Sequence, residues 1–322
     1  MNDKLIALCT PDAYRPSAKA LIAGIKATNL ANTDLIILDN GYDADFQHAE
    51  TMNAVLDYAD DQWVFFIDDD VLIDTPDWLN TLLSTAQEMD AAVIGCTHTY
   101  RSGEINHSGA LIHDDGSTEL MREPFGKARY IPAVSSAVVG IRPGTGLRFD
   151  TRYAKYQHDL DLCVSAWQQG LKVAVTPQLS VVHDMAGYYS TLSAPAVAYQ
   201  ADSQLFRDKW AGFCRDGLYR VAELETFQPQ AHGPNWEVRY NEASACKRDD
   251  PTQAAHGFQA LVESCPYPHL VAGAHFHLFE LTRDIDHLRS CVAINPLHGK
   301  AQSMLSQHEQ SGIGEPREAE RA

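Results

Sequence analysis

The segment WVFFIDDDVLIDTPDWL, residues 63–79, decides how the rest of the sequence is interpreted. Its apolar run WVFFI predicts a buried strand, and three consecutive carboxylates, Asp68, Asp69 and Asp70, follow that strand directly. Pro76 stands where the first residue of a helix is expected, so this strand is predicted to lead into a helix. Pro16 has the same position at the start of an earlier predicted helix. A strand, an acidic turn and a helix in this order are typical of a βα unit.

The same alternation extends to both sides of this segment. Apolar runs predict strands at 5–9, 34–39 and 91–96, and helical periods predict helices at 16–28 and 52–59. Strands that alternate with helices predict an α/β fold, here a Rossmann-like, mostly parallel sheet with helices on both faces.

The pattern changes in the second half of the sequence. Glycines and short alternating stretches at 98–150 predict a hairpin and an irregular segment that builds a site, rather than further βα units. A helix at about 159–169 and the apolar runs KVAVT and LSVVH complete this half. We therefore predict an α/β domain at 1–215, a connecting segment at 216–251, an all-α region at 252–310 and a disordered tail at 311–322.

Composition narrows the class of protein. Lys and Arg total 25 against 43 Asp and Glu, which gives a net charge of −18, and basic residues do not cluster. Such a chain repels phosphate backbones, so we expect no nucleic-acid partner. The seven scattered cysteines predict a reducing, cytoplasmic location. No apolar run approaches the roughly 18–20 residues that span a bilayer, so we expect no membrane span.

The carboxyl ends of the predicted strands mark a candidate site, because ligands of open α/β sheets bind there. Asp39 and the Asp68–Asp70 triplet both follow strands. In an extended segment Asp68 and Asp70 point the same way and offer hard oxygen ligands for Mg²⁺ or Mn²⁺. The alternative is an acidic turn that caps the helix near Pro76.

Three further residues have both a chemical and a structural interpretation. Asp159 and Asp161 begin a predicted helix, where carboxylates are also favoured as caps and by the helix dipole. His183 ends the run LSVVH and is a third metal ligand or a structural histidine.

His275 and His277 lie two positions apart on a predicted helix and do not share a face, so we expect them to be structural.

Taken in order, these segments resemble a known family. The segments are LIALCTPD, DLIILDNG, WVFFIDDDVLIDTPDWL, INHSGALIHDDG, and SSAVVG through YQHDLDLC to LSVVHD. Together they are similar to the inverting family 2 nucleotide-sugar glycosyltransferases of the GT-A fold. The segment INHSGALIHDDG resembles one that is common in the bacterial members. The resemblance covers about residues 4–190. It implies a metal-dependent hexosyltransferase that moves a sugar from a nucleoside-diphosphate sugar to the hydroxyl of a glycan or protein acceptor.

The resemblance also implies roles for individual residues. Asp70, His183 and Asp68 match the metal site for Mn²⁺ or Mg²⁺, with Asp68 and Asp70 forming the DxD motif, and Asp159 matches the general base. The matching nucleotide-binding positions are Thr10, Pro11, Asp39, Asp68 and Asp69; those near the acceptor or donor sugar are His158, Asp161, Ser135 and Ser136.

Two features of the sequence qualify the match. The Glu that usually precedes the catalytic Asp is His158 here, so the acceptor preference is open. The family implies a UDP-sugar first, although the residues do not separate UDP from GDP or dTDP.

The C-terminal region, including CVAINPLHGKAQSML, loosely resembles tetratricopeptide repeats, which implies a protein partner; a plain helical cap is the alternative.

Two other functions compete with this interpretation. An apolar strand followed by DDDV also resembles the nucleophile loop of haloacid-dehalogenase-like phosphatases, but two βα units precede the triplet and no Gly-Asp pair occurs in the sequence. The other is an inactive transferase-fold scaffold that binds protein through its helical end. The retention of Asp70, Asp159 and His183 argues against it.

Overall fold

The computed structural model describes residues 2–43, 46–183, 195–227, 236–265, 267–296 and 298–312. The chain divides into two compact units, Met1–Gly233 and Pro234–Ala322. Residues 313–322 of the predicted disordered tail lie outside the described residues. No helix within the described part of the chain is long and apolar enough to cross a membrane.

The first unit contains eleven strands and five α-helices among its described residues. The strands are β1 (Lys4–Thr10), β2 (Thr33–Asp39), β3 (Trp63–Asp68), β4 (Val71–Leu72), β5 (Ala91–Thr99), β6 (Ile105–His107), β7 (Ala110–Ile112), β8 (Thr118–Leu120), β9 (Arg129–Tyr130), β10 (Val138–Ile141) and β11 (Lys172–His183). The helices are α1 (Pro16–Lys26), α2 (His48–Ala59), α3 (Trp78–Glu88), α4 (His158–Gln168) and α5 (Pro195–Asp216), followed by 3₁₀ turns at Leu218–Arg220 and Ala222–Phe227.

The main sheet has the strand order β2-β1-β3-β10-β5-β11-β4. Strands β2, β1 and β3 pair in parallel, as do β5 and β11, whereas the short β10 is antiparallel to both β3 and β5. The five longest strands therefore run in one direction, which confirms the predicted mostly parallel α/β sheet.

Helices cover both faces of this sheet, and β3 shows why. Its residues alternate between two apolar cores: Val64 and Phe66 pack with α2, and Phe65 and Ile67 pack with α1 and α3. A strand buried on both faces has a continuous apolar sequence rather than an alternating one. Each buried phenylalanine contributes about 1.5–3 kcal/mol by leaving water.

Between β5 and α4 the chain forms short strands and no helix, as the glycine-rich pattern predicts. Strands β5 and β6 pair antiparallel, and β7 and β8 form a separate two-stranded sheet. The two apolar runs after α4 lie in one strand, β11, whose pairing with β5 is irregular between Thr176 and Ser180. Pro177 has no N–H to donate to the ladder, which accounts for the irregularity.

The second unit is all α-helical in its described residues, as predicted. Its helices are α6 (Trp236–Cys246), α7 (Pro251–Ser264), α8 (Pro268–Thr282), α9 (Ile285–Ile294) and α10 (Gly299–Gly312). Consecutive helices pack together, and Phe258 and Leu288 are fully buried between them. Helix α6 lies in the segment predicted to connect the units. The likeness to tetratricopeptide repeats stays a prediction.

Candidate active site

The candidate site lies at the carboxyl edge of the main sheet. Thr10, Asp39, Asp68 and His183 are the last residues of β1, β2, β3 and β11, four strands that run in the same direction. The sheet therefore brings together residues that are up to 173 positions apart in the sequence.

Asp68, Asp70 and His183 form a compact group at this edge. One ligand atom from each residue lies within 4.8 Å of those of the other two. His183 Nε2 is 3.2 Å from Asp70 Oδ1. His183 reaches Asp70 because the end of β11 pairs with β4, where His183 lies opposite Val71. In the described residues this is the one group of three or more such side chains that could hold a metal ion.

The electrostatics of this group favour a cation. Burial raises the pKa of Asp68 to about 6, although the nearby His183 acts in the opposite direction. Burial also opposes ionisation of Asp70, but its hydrogen bond with His183 and the attraction between them leave the pKa lowered. Two carboxylate oxygens and an imidazole nitrogen are a donor set that suits Mn²⁺, and the carboxylates also suit Mg²⁺. The residues present therefore fit the implied metal.

Asp69 has partners of its own at this edge. The triplet does not stay extended as the sequence predicted, because Asp69 and Asp70 form a turn between β3 and β4. Asp69 Oδ2 accepts a hydrogen bond of 2.6 Å from Thr10 Oγ1 and lies 3.3 Å from Arg15 Nε. The Asp69 side chain thus ties the end of β3 to the end of β1 and to the start of α1. Arg15 is a cation at the site that the sequence analysis missed.

Asp39 organises the loops at the neighbouring strand ends. Its carboxylate accepts hydrogen bonds from the backbone N–H groups of Ala13 and Gly41, both at 3.0 Å, and these bonds lower its pKa. Tyr42 N donates to Pro11 O at 3.1 Å, so the loops after β1 and β2 are joined. The Asp39 side chain remains exposed to solvent.

Asp159 is joined to the metal group through two consecutive residues. Its Oδ2 accepts from Ser136 N at 3.0 Å, and its Oδ1 accepts from Leu160 N at 2.9 Å. The next residue, Ala137, accepts through its carbonyl oxygen from Asp68 N at 3.0 Å. Adjacent Cα atoms are 3.8 Å apart, so the segment before β10 holds Asp159 beside the end of β3.

Ser135, Ser136 and His158 lie around this junction. Ser135 Oγ accepts from Ala137 N at 3.2 Å, and Ser136 is buried. His158 is buried, and its ring packs edge-on against that of His48, with centroids 5.2 Å apart. His158 is also close enough to Asp68 to influence that carboxylate.

Asp161 differs from the other predicted site residues because it is part of a buried network. It is 1% exposed, and its Oδ1 accepts from Trp210 Nε1 at 2.6 Å and from Tyr153 Oη at 3.0 Å. Lys209 Nζ lies 3.0 Å from its Oδ2. The structure thus links Asp159 through Ser136 and Ala137 to the backbone at the end of β3, whereas the carboxylate of Asp161 is bound by side chains of α5.

Lys155 is a second cation near the metal group that the sequence analysis missed. Its ammonium group is half-buried, and burial lowers its pKa to about 8 while Asp68 and Asp70 act in the opposite direction. Neither Lys155 nor Arg15 stands in an apolar period or at a strand end. Their signal in the sequence is limited to their closeness to Asp159 and Pro16.

A family model matches part of this unit. Residues 43–145 match Glycosyl transferase family 2. A curated relative, the O-antigen biosynthesis protein RfbC of Myxococcus xanthus, is 24% identical over 196 residues. That alignment covers 55% of this chain and 15% of the relative, so the chain matches a small part of a much longer protein.

One solved structure is similar in fold to this chain, and a second match is weaker. The mannosyltransferase PcManGT from Pyrobaculum calidifontis, in complex with GDP-Man and Mn²⁺, is 14% identical with a TM-score of 0.50; the match covers 92% of this chain and 87% of that chain. GalNAc-T7, solved with UDP, GalNAc and Mn²⁺, is 10% identical with a TM-score of 0.48, and the match covers 77% of this chain and 57% of that one.

Proposed function

We propose that this chain, a family 2-like glycosyltransferase of the GT-A fold, moves a sugar from a nucleoside-diphosphate sugar to an acceptor hydroxyl with inversion at the anomeric carbon. The observation that carries the proposal is the junction at Ser136 and Ala137. These residues hold a carboxylate suited to proton abstraction, Asp159, beside a group suited to a divalent cation. A transfer reaction of this kind needs both groups at one place.

The donor side is assigned to the strand ends. Asp68, Asp70 and His183 would hold Mn²⁺ or Mg²⁺, which when bound neutralises charge on the leaving diphosphate. Arg15 and Lys155 are nearby cations that would bind phosphate oxygens. We place the base and ribose at Thr10, Pro11 and Asp39, with Asp69 supporting Thr10, and the donor sugar near Ser135 and Ser136.

Asp159 acts on the acceptor side as the general base. It takes the proton from the acceptor hydroxyl while that oxygen forms a bond to the anomeric carbon, and the bond from that carbon to the diphosphate oxygen breaks. The two hydrogen bonds that Asp159 accepts from Ser136 N and Leu160 N hold its carboxylate in one orientation. A single displacement from the opposite face inverts the configuration.

The class of acceptor is inferred from the curated relative, and the cellular location is inferred from the cysteines. The similarity to an O-antigen biosynthesis protein favours a glycan acceptor in bacterial glycan synthesis. The free cysteines of the chain favour the cytoplasm. We assign the helices of the second unit to binding of the acceptor or of a protein partner, and shortening the chain after Gly233 would then lower transfer to the acceptor more than turnover of the donor.

A thermal-shift screen of UDP-, GDP- and dTDP-sugars, each with and without Mn²⁺, tests the proposal. Ligands that bind the folded state raise its stability by linkage, so one nucleotide family should stabilise the chain only when Mn²⁺ is present. We expect UDP-sugars to do so first. Absence of any Mn²⁺-dependent shift, together with phosphate release from a generic phosphomonoester, would contradict the proposal and favour a phosphatase.

A further inference from the structure

One buried carboxylate on α5, that of Asp202, binds three successive backbone N–H groups of the loop before α4. Asp202 is 3% exposed. Ala154 N donates to its Oδ1 at 2.9 Å, and Lys155 N and Tyr156 N donate to its Oδ2 at 2.9 and 2.7 Å. Hydrogen bonds to an ionised acceptor are roughly twice as strong as neutral ones. The loop is therefore fixed to α5 through its backbone.

Gln157 carries this constraint from the loop to α4. Its backbone has a φ of 67°, in the left-handed region that residues other than glycine rarely adopt. Its Nε2 lies 3.3 Å from the Oγ of Ser203, the residue next to Asp202. Because only Gln157 and His158 separate the loop from Asp159, a displacement of the loop would move that carboxylate.

The loop also faces the metal group. Lys155, whose N–H is held by Asp202, has its ammonium group near Asp68 and Asp70. The segment that Asp202 fixes thus carries a cation that interacts with Asp68 and Asp70 and leads directly into the helix that bears Asp159.

We propose that Asp202 is a positioning residue for the transfer reaction, because the loop it holds sets the place of Asp159 relative to Asp68 and Asp70. Asp202 itself does not contact substrate. The inference rests on the proposed role of Asp159 as base. A shift of about 1 Å in a reacting group can cost on the order of 100-fold in rate, so loss of this anchor should reduce turnover rather than donor binding.

The test uses the full chain with the variants Asp202→Ala and Asp202→Asn, and Asp208→Asn as a matched control. Asp208 lies on the same helix, is exposed, and accepts a hydrogen bond from Gln204 Nε2. Two quantities are measured: release of nucleoside diphosphate from UDP-glucose, UDP-N-acetylglucosamine or GDP-mannose with Mn²⁺, and the Kd of Mn²⁺ with UDP or GDP. Hydrogen exchange of the 154–160 amides reports on the loop itself.

We expect Asp202→Ala to lower kcat by about 10- to 100-fold while the Kd of the Mn²⁺–nucleotide stays within about twofold. Exchange at 154–160 should rise without a rise elsewhere in the unit. Asp202→Asn retains one acceptor oxygen, so it should fall between Asp202→Ala and wild type. If Asp202→Ala does not fold, the Asn variant decides alone.

Two results would overturn the inference. One is turnover in the Asp202 variants equal to that of Asp208→Asn while Asp159→Asn is inactive. The other is a loss of turnover accompanied by an equal loss of Mn²⁺–nucleotide binding, which indicates general unfolding. Failure of the proposed function has a different signature, since Asp159→Asn would then turn over donor at the wild-type rate.

Discussion

Asp68/Asp70 and Asp159/Asp161 are two acidic pairs with the same spacing and different fates. At the end of a strand, Asp68 and Asp70 converge with His183 on one point. At the start of α4, Asp159 turns to Ser136, and Asp161 turns to the buried side chains of α5. Residues two apart do not share a face of a helix, whereas the turn at Asp69–Asp70 and the pairing of β4 with β11 bring Asp70 to His183 beside Asp68. The same motif therefore makes one site in the first place, and one candidate base plus one structural anchor in the second.

Within the pair Asp159/Asp161, the largest expected effect is the loss of sugar transfer when Asp159 is replaced. Asp159→Asn removes the proposed base and should lower transfer by about 10²- to 10⁴-fold, the range that general-base catalysis contributes. Binding of Mn²⁺ with nucleoside diphosphate should be retained, because Asp159 is not a member of the metal group. Steady-state kinetics beside calorimetric binding checks this, with the exposed Asp208→Asn as control. Wild-type turnover in Asp159→Asn would remove the assignment.

The next effect is expected on stability at Asp161. Asp161→Asn places an amide N–H₂ among buried donors from Tyr153, Trp210 and Lys209, and should lower the free energy of unfolding by about 3 kcal/mol. Urea titration of the full chain measures it. Asp70→Asn in the same titration should cost far less, because the lost attraction to His183 is offset by the relieved repulsion with Asp68. Equal midpoints for wild type and Asp161→Asn would show that the network does not anchor α4.

A smaller, pH-dependent effect is expected at Asp150, which shares Lys209 with Asp161. Its hydrogen bond with Arg152, and a further one with Lys209, hold its pKa below the ordinary 3.8. Because the folded-state pKa is lowered, the stabilisation is present above about pH 4 and is lost as the pH falls further. Asp150→Asn should therefore cost about 1 kcal/mol at pH 7 and less at pH 3. Urea midpoints at both pH values test this, and a difference that grows on acidification would contradict it.

Sequence patterns predict that acidic residues gather at the carboxyl edge of the sheet, for a physical reason. Buried strands have continuous apolar runs, and the parallel sheet brings their carboxyl ends to one edge, so Asp39, Asp68 and Asp70 could be placed together from the sequence. His183 needed the resemblance as well, since a histidine at the end of an apolar run has no chemistry of its own to mark it. All four are the last residues of strands or lie within two residues of one.

The contacts that hold α4 and the loop before it are harder to predict, because the residues that make them are distant in sequence. Asp161 is bound by Trp210, 49 positions away, and Asp202 is bound to backbone groups rather than to a motif. Hydrogen bonds of this kind leave no periodic signal. The single strand β11 was likewise hidden, since Pro177 interrupts its apolar run without ending it. The predicted roles of His158, Ser135 and Ser136 stay predictions.

The proposed reaction requires, above all, that Asp68, Asp70 and His183 bind a divalent metal ion. Electron paramagnetic resonance of free Mn²⁺, titrated with the full chain in the presence of UDP or GDP, measures this binding. The wild-type chain should remove the free-ion signal, and Asp70→Asn should weaken binding by at least about 10-fold, because changing even an outer-shell partner of a metal ligand costs about 10- to 100-fold. Asp74→Asn, an exposed carboxylate four residues further on, is the control and should bind as wild type does. Equal Mn²⁺ affinity in wild type and Asp70→Asn would contradict the account.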